Sequence, residues 1–227
     1  MKACTSSVFA DKDIDQKNYL VKLLQIELKL VDTVKNDFQN ILDASPANEP
    51  ESGTFGHYNN KHPALALAHL YTFEHPLNPY FKDQLILDVV KLLTDKWAEA
   101  GRDGKNKGTP MVTSEWPIYA TSVIFDTLKD ELEPERKKQW QIFVTQYLEA
   151  SLKKPFGMTA PNHEIWRVNA FYSAGKTFNK PEWCEAGIFF GKQLLELQTP
   201  EGFWEEGIHH GPSMRYNSVM LTGLANR

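Results

Sequence analysis

Over residues 14–42 the apolar side chains fall at Leu20, Leu23, Leu24, Leu28, Val31, Val34, Phe38, Ile41 and Leu42. That three-and-four spacing predicts one long amphipathic helix. Residues 43–61 lose the rhythm: Ser, Pro, Gly, Asn and Glu dominate, and the stretch Gly56-His57-Tyr58-Asn59-Asn60 lies inside what reads as a long, function-bearing loop. Beyond it two kinds of helical segment alternate. Residues 64–73 and 118–128 are apolar on most faces, whereas 81–98 and 135–152 are amphipathic. The first kind is expected to be buried as inner helices, and the second to cover them from outside. No period-two pattern of any length suggests a strand.

Prolines punctuate this alternation. Pro fits the first turn of a helix, where its missing N–H would be unpaired in any case. Such starts occur at His62-Pro63, Trp116-Pro117, Ala160-Pro161 and Gly211-Pro212, spaced by 54, 44 and 51 residues. A second series, Asn78-Pro79-Tyr80, Glu133-Pro134-Glu135 and Lys180-Pro181-Glu182, is spaced by 55 and 47. Each unit therefore reads as a helical hairpin. The expected fold is all-α: about three and a half hairpins of an (α/α)n toroid, or of an open solenoid, in one domain over residues 1–227. The segments leading into the inner helices collect Tyr58, Asn60 and His62; Trp116 and Tyr119; Asn162, His163 and Trp166; and Trp204, His209, His210 and Tyr216. In a toroid these converge on one end of a central cavity.

Composition narrows the classes. The 227 residues are 41% hydrophobic and 24% charged, ordinary globular material able to bury a sizeable core. A net charge of −4 without a basic tract argues against a nucleic-acid partner, and no apolar run has membrane length. An acidic polymer would need a local positive site. Cys4 and Cys184 form neither a disulfide framework nor a metal-spaced cluster, and they do not fix the compartment. Residues 1–10 lack the apolar core of a secretory signal. The expectation is a cytoplasmic protein, or a secreted or periplasmic one if a leader is missing from this chain; the oligomeric state stays open.

The segment Pro161-Asn162-His163-Glu164-Ile165-Trp166-Arg167, followed a hairpin later by His209-His210-Gly211-Pro212-Ser213-Met214-Arg215-Tyr216-Asn217, resembles the core of the α/α-toroid polysaccharide lyases. These enzymes cleave alginate, glucuronan and related uronic-acid polymers. The resemblance covers mainly residues 159–227. It implies a catalytic set of Asn162, His163, Arg215 and Tyr216; the residues collected at the inner-helix starts, Trp116, Tyr119, Trp166, Arg167, Trp204, His209 and His210, are expected to bind substrate. It implies an anionic polysaccharide as partner and neither metal nor cofactor. Two features depart from the family pattern. Pro161 stands where some members carry a second Asn, and the family toroid has about six or seven hairpins, so a chain truncated at its C-terminus is expected.

The chemistry accounts for these residue types. β-Elimination at a 4-linked uronate removes the C5 proton, which is α to a carboxylate and becomes acidic enough only when that carboxylate is neutralised. The Asn162 amide, with a protonated His or an Arg, can stabilise the enolate-like dianion as an oxyanion hole does. A base then takes the proton and an acid protonates the leaving O4. His, with an ordinary pKa of about 6.5, can be a base unaided; Tyr, at about 10, needs a cation such as Arg215 or Arg167 beside it. His163 is assigned as base or carboxylate partner and Tyr216 as acid or acid/base. Two other readings stay open. A glycoside hydrolase on the same toroid would need two carboxylates from among Glu115, Glu164, Glu205 and Glu206. A non-catalytic helical-repeat scaffold would bind glycan or peptide along its concave face.

Overall fold

The computed structural model describes residues 20–29, 31, 61–102, 115–156, 161–202 and 204, without the side chains of 61–63, 100–102, 115, 162 and 163. Every regular element among them is a helix: α1 (residues 20–29), α2 (Lys61–Thr72), α3 (Gln84–Arg102), α4 (Glu115–Leu128), α5 (Pro134–Leu152), α6 (Pro161–Thr177) and α7 (Pro181–Glu196). The all-α expectation holds for these residues, and the helices pair as predicted. α2 packs with α3, α4 with α5 and α6 with α7; between hairpins α2 packs on α4 and α4 on α6, while α3 packs on α5. Helices α2, α4 and α6 thus form an inner layer, with α3, α5 and α7 outside it.

Sequence explains the layering. The inner helices bury residues on nearly every face, including Ala64, Leu67, Ala68 and Leu70 on α2, Ile118, Ala120 and Ile124 on α4, and Ile165, Val168, Ala170 and Phe171 on α6. The small Ala residues let neighbouring inner helices approach, and each buried large aliphatic side chain contributes about 1.5–3 kcal/mol by leaving water. The outer helix α5 buries only one stripe, Trp140, Phe143, Val144 and Leu148, and turns Ile142 and Leu152 outward. Outer helices α3 and α5 are locked through Asp95. It accepts a hydrogen bond from the buried Trp140 indole at 2.7 Å and pairs with Arg136 at 3.1 Å. Beside it, Glu133 pairs with Lys91 at 2.9 Å and with Arg136.

Proline placement is borne out at α5, α6 and α7, each of which begins at its Pro. Pro79 differs: the Asn78-Pro79-Tyr80 signal lies within a turn, and α3 starts only at Gln84. Lys82 sits in the left-handed region, at φ 57°, which a continuing helix cannot use. Asp83 is the true cap, its carboxylate accepting from the amides of Leu85 and Ile86 at 2.8 and 3.2 Å. Asn78 acts on the preceding helix instead, donating to the carbonyls of Leu70 and Phe73 at 2.6 and 2.7 Å. The turn after α6 also uses a left-handed residue: Asn179 has φ 53°, and the Lys180 amide donates to the Gly175 carbonyl at 2.8 Å, a Schellman closure.

Residues 20–29 confirm helix within the predicted 14–42 span, and the rest of that span lies outside the described residues except for helical Val31. α1 meets α2 where Glu27 pairs with His69 Nδ1 at 2.6 Å. The expected loop over 43–61 lies outside the described residues up to 60, and residue 61 already opens α2.

Candidate functional site

Because each inner helix turns back into the outer helix that packs on it, the starts of the three inner helices share one end of the array. Four aromatic rings meet there. Trp116, in the first turn of α4, touches Trp166 of α6 edge to face at 6.0 Å between centroids, Tyr119 at 6.4 Å and Trp97 of α3 at 6.2 Å. Tyr119 and Trp166 close the group at 5.7 Å. Edge-to-face pairs of this kind are each worth about 0.5–1.5 kcal/mol beyond the area they bury. Trp116 is the buried centre, while Trp97, Tyr119 and Trp166 are half-buried around it. Burial pushes the Tyr119 phenol above its ordinary value, so it stays protonated at neutral pH.

Three of the expected binding residues, Trp116, Tyr119 and Trp166, are therefore brought together. Trp97 was missing from the sequence-based set although a signal for it existed. Val90, Thr94 and Trp97 continue the buried stripe of α3 at helical spacing, up to the end where the inner helices begin.

Asn162 and His163 lie in the first turn of α6, one turn before Trp166 and Arg167. Their side chains lie outside what is described. His209, His210, Arg215 and Tyr216 lie outside the described residues altogether, as do Tyr58 and Asn60.

Arg167 and Trp204 take positions that substrate contact does not explain. Arg167 is 3% exposed. Its guanidinium donates to the carbonyls of Ser151, Lys154 (2.8 Å) and Pro155 (3.4 Å), stands 3.5 Å from the Glu164 carboxylate and lies over the Phe190 ring at 4.4 Å. The reason is electrostatic: the end of α5 leaves carbonyls without helical partners, and a cation beside them is favourable. Arg167 is thereby occupied within the protein, and its burial does not match the expected role in binding substrate. Trp204 is likewise buried, its indole donating to the Leu194 carbonyl at 2.8 Å, so its ring belongs to the core.

Glu164, one of the hydrolase carboxylates, is only 2% exposed and held against Arg167. The side chain of Glu115, and Glu205 and Glu206 entirely, lie outside the description. Among the described residues no group of three His, Cys, Asp or Glu side chains is arranged to hold a metal ion, and no helix is long and apolar enough to cross a membrane. Compared with protein-family models, curated proteins and solved structures, the chain finds no match in any of the three.

Proposed function

We propose that this chain acts as an α/α-toroid polysaccharide lyase that cleaves a 4-linked uronic-acid polymer by β-elimination. The observation that carries the reading is the aromatic cluster of Trp97, Trp116, Tyr119 and Trp166, gathered at the starts of the inner helices one turn from Asn162 and His163. These rings pack against the hydrophobic core, and the parts of Trp97, Tyr119 and Trp166 left exposed beside the first turn of α6 are what a glycan platform would use. The inner and outer layering is also the local architecture from which a toroid is built.

In this mechanism the half-buried aromatic faces hold the sugar ring through stacking and exclude water. Asn162, with Arg215, neutralises the substrate carboxylate, so that charge developing on it during C5 proton loss meets fixed donors. His163 takes the proton and Tyr216 protonates the departing O4. Tyr119 is a neutral phenol at this site and serves as a wall and hydrogen-bond donor, because its raised pKa opposes deprotonation. The anionic substrate meets a chain of net charge −4, so its recognition depends on local cations, and Arg215 is the remaining arginine of the set.

The hydrolase alternative loses support at Glu164, whose carboxylate is buried and paired with Arg167. The experiment that separates the two chemistries is product analysis on alginate, glucuronan, hyaluronan, chondroitin and heparin-type polymers. Elimination yields a 4,5-unsaturated end that absorbs in the ultraviolet, whereas hydrolysis yields reducing ends without that chromophore.

A further inference from the structure

We infer that Arg167 is a positioning residue: it fastens the first turn of α6, with Asn162 and His163, to the end of α5. Its kinetic consequence rests on the lyase reading, but the fastening itself does not. Helices α5 and α6 belong to different hairpins and pack little against each other. Arg167 joins them nonetheless. Its donors reach Ser151 in the last turn of α5 and Lys154 and Pro155 just beyond it, which is the start of the connection leading into α6. On its other side it pairs with Glu164, in the same helical turn as Asn162 and His163. Phe190 of α7 lies against the guanidinium plane and limits how it can turn.

The planar fork matters for this task. A guanidinium can donate to several carbonyls in fixed directions, whereas a lysine ammonium is a point charge on a flexible stem. Arg167→Lys therefore keeps the charge and loses most of the fastening. A shift of about 1 Å in catalytic groups can cost about 10²-fold in rate.

Two measurements on the full chain test this, using Arg167→Lys, which keeps a cation beside Glu164, and Glu164→Gln, which keeps the size and shape of that side chain. Hydrogen exchange should speed up at amides 162–167 in both variants, while α4 keeps its protection. With whichever polyuronate the wild type cleaves, kcat should fall about 10- to 10²-fold while KM and its salt dependence stay at wild-type values. Unchanged exchange at 162–167 would overturn the fastening. A raised KM with a flattened salt dependence and unchanged kcat would overturn it in favour of direct contact with the substrate carboxylate. A wild-type chain that forms no unsaturated product from any polyuronate would overturn the lyase reading alone, and the exchange result would still decide the role of Arg167.

Discussion

Gly175 and Gly187 set how closely α6 and α7 pack. A Cβ at Gly175 would lie 2.6 Å from the Cys184 amide nitrogen and sulfur, and one at Gly187 would lie 2.9 Å from the Tyr172 amide nitrogen. Backbone atoms cannot yield as a side-chain tip can, so Gly175→Ala should destabilise by about 1–3 kcal/mol in denaturant unfolding. A variant as stable as the wild type would mean that these helices are spaced more loosely. At the proposed site, Tyr216→Phe removes only a hydroxyl and Asn162→Ala only an amide; each should lower kcat by about 10²–10⁴-fold with little change in KM. Near wild-type kcat in a folded Tyr216→Phe variant would take that phenol out of the mechanism. Residue roles were the least legible part of the sequence. Trp116, Tyr119 and Trp166 could be grouped because they recur at helix starts, but Arg167 could not be placed. Spacing puts it near His163, yet only three-dimensional structure reveals the carbonyls at the end of α5 that claim its guanidinium.

Among elements, the lock between α3 and α5 depends on Asp95. Asp95→Ala would leave the fully buried Trp140 indole without its acceptor and remove a partner of Arg136, a loss of about 1–3 kcal/mol measurable by urea unfolding. Wild-type stability would show that water replaces the carboxylate. The same pair of helices carries a pH dependence. The hydrogen bond from Lys91, with help from Arg136, lowers the Glu133 pKa from 4.5 to about 2. A carboxylate depressed in the folded state contributes stability that is fully present above its unfolded pKa and is lost as pH falls through its folded one. Its contribution should therefore fade between about pH 4.5 and 2, an effect kept small by the exposure of Glu133. Comparing acid unfolding of wild type and Glu133→Gln checks this: the variant should lack that part of the pH dependence, and superimposable profiles would contradict it. The hairpins themselves were legible because burial on all faces and burial on one face leave different sequence patterns. The start of α3 was not, because Pro79 gives the same local signal in a turn as in a helix first turn, and the choice was made by the left-handed Lys82 and the Asp83 cap.

For the whole molecule, parallel inner helices gather the starts of α2, α4 and α6 at one end, and an aromatic cluster with an Asn-His turn meets there. The repeating hairpins were legible from proline spacing, whereas the proposed closure of such hairpins into a ring would leave no local mark in the sequence. If the proposed polyuronate is the substrate, a chain of net charge −4 should bind it less tightly as salt rises, since only local cations oppose the overall repulsion. The most direct measurement is to incubate the protein with the panel of uronic-acid polymers and follow ultraviolet absorbance and reducing ends together. The lyase account predicts that at least one polymer gives both signals in step, as each cleavage creates one unsaturated end. Reducing ends that accumulate without the chromophore, or polymers that all remain intact, would contradict it.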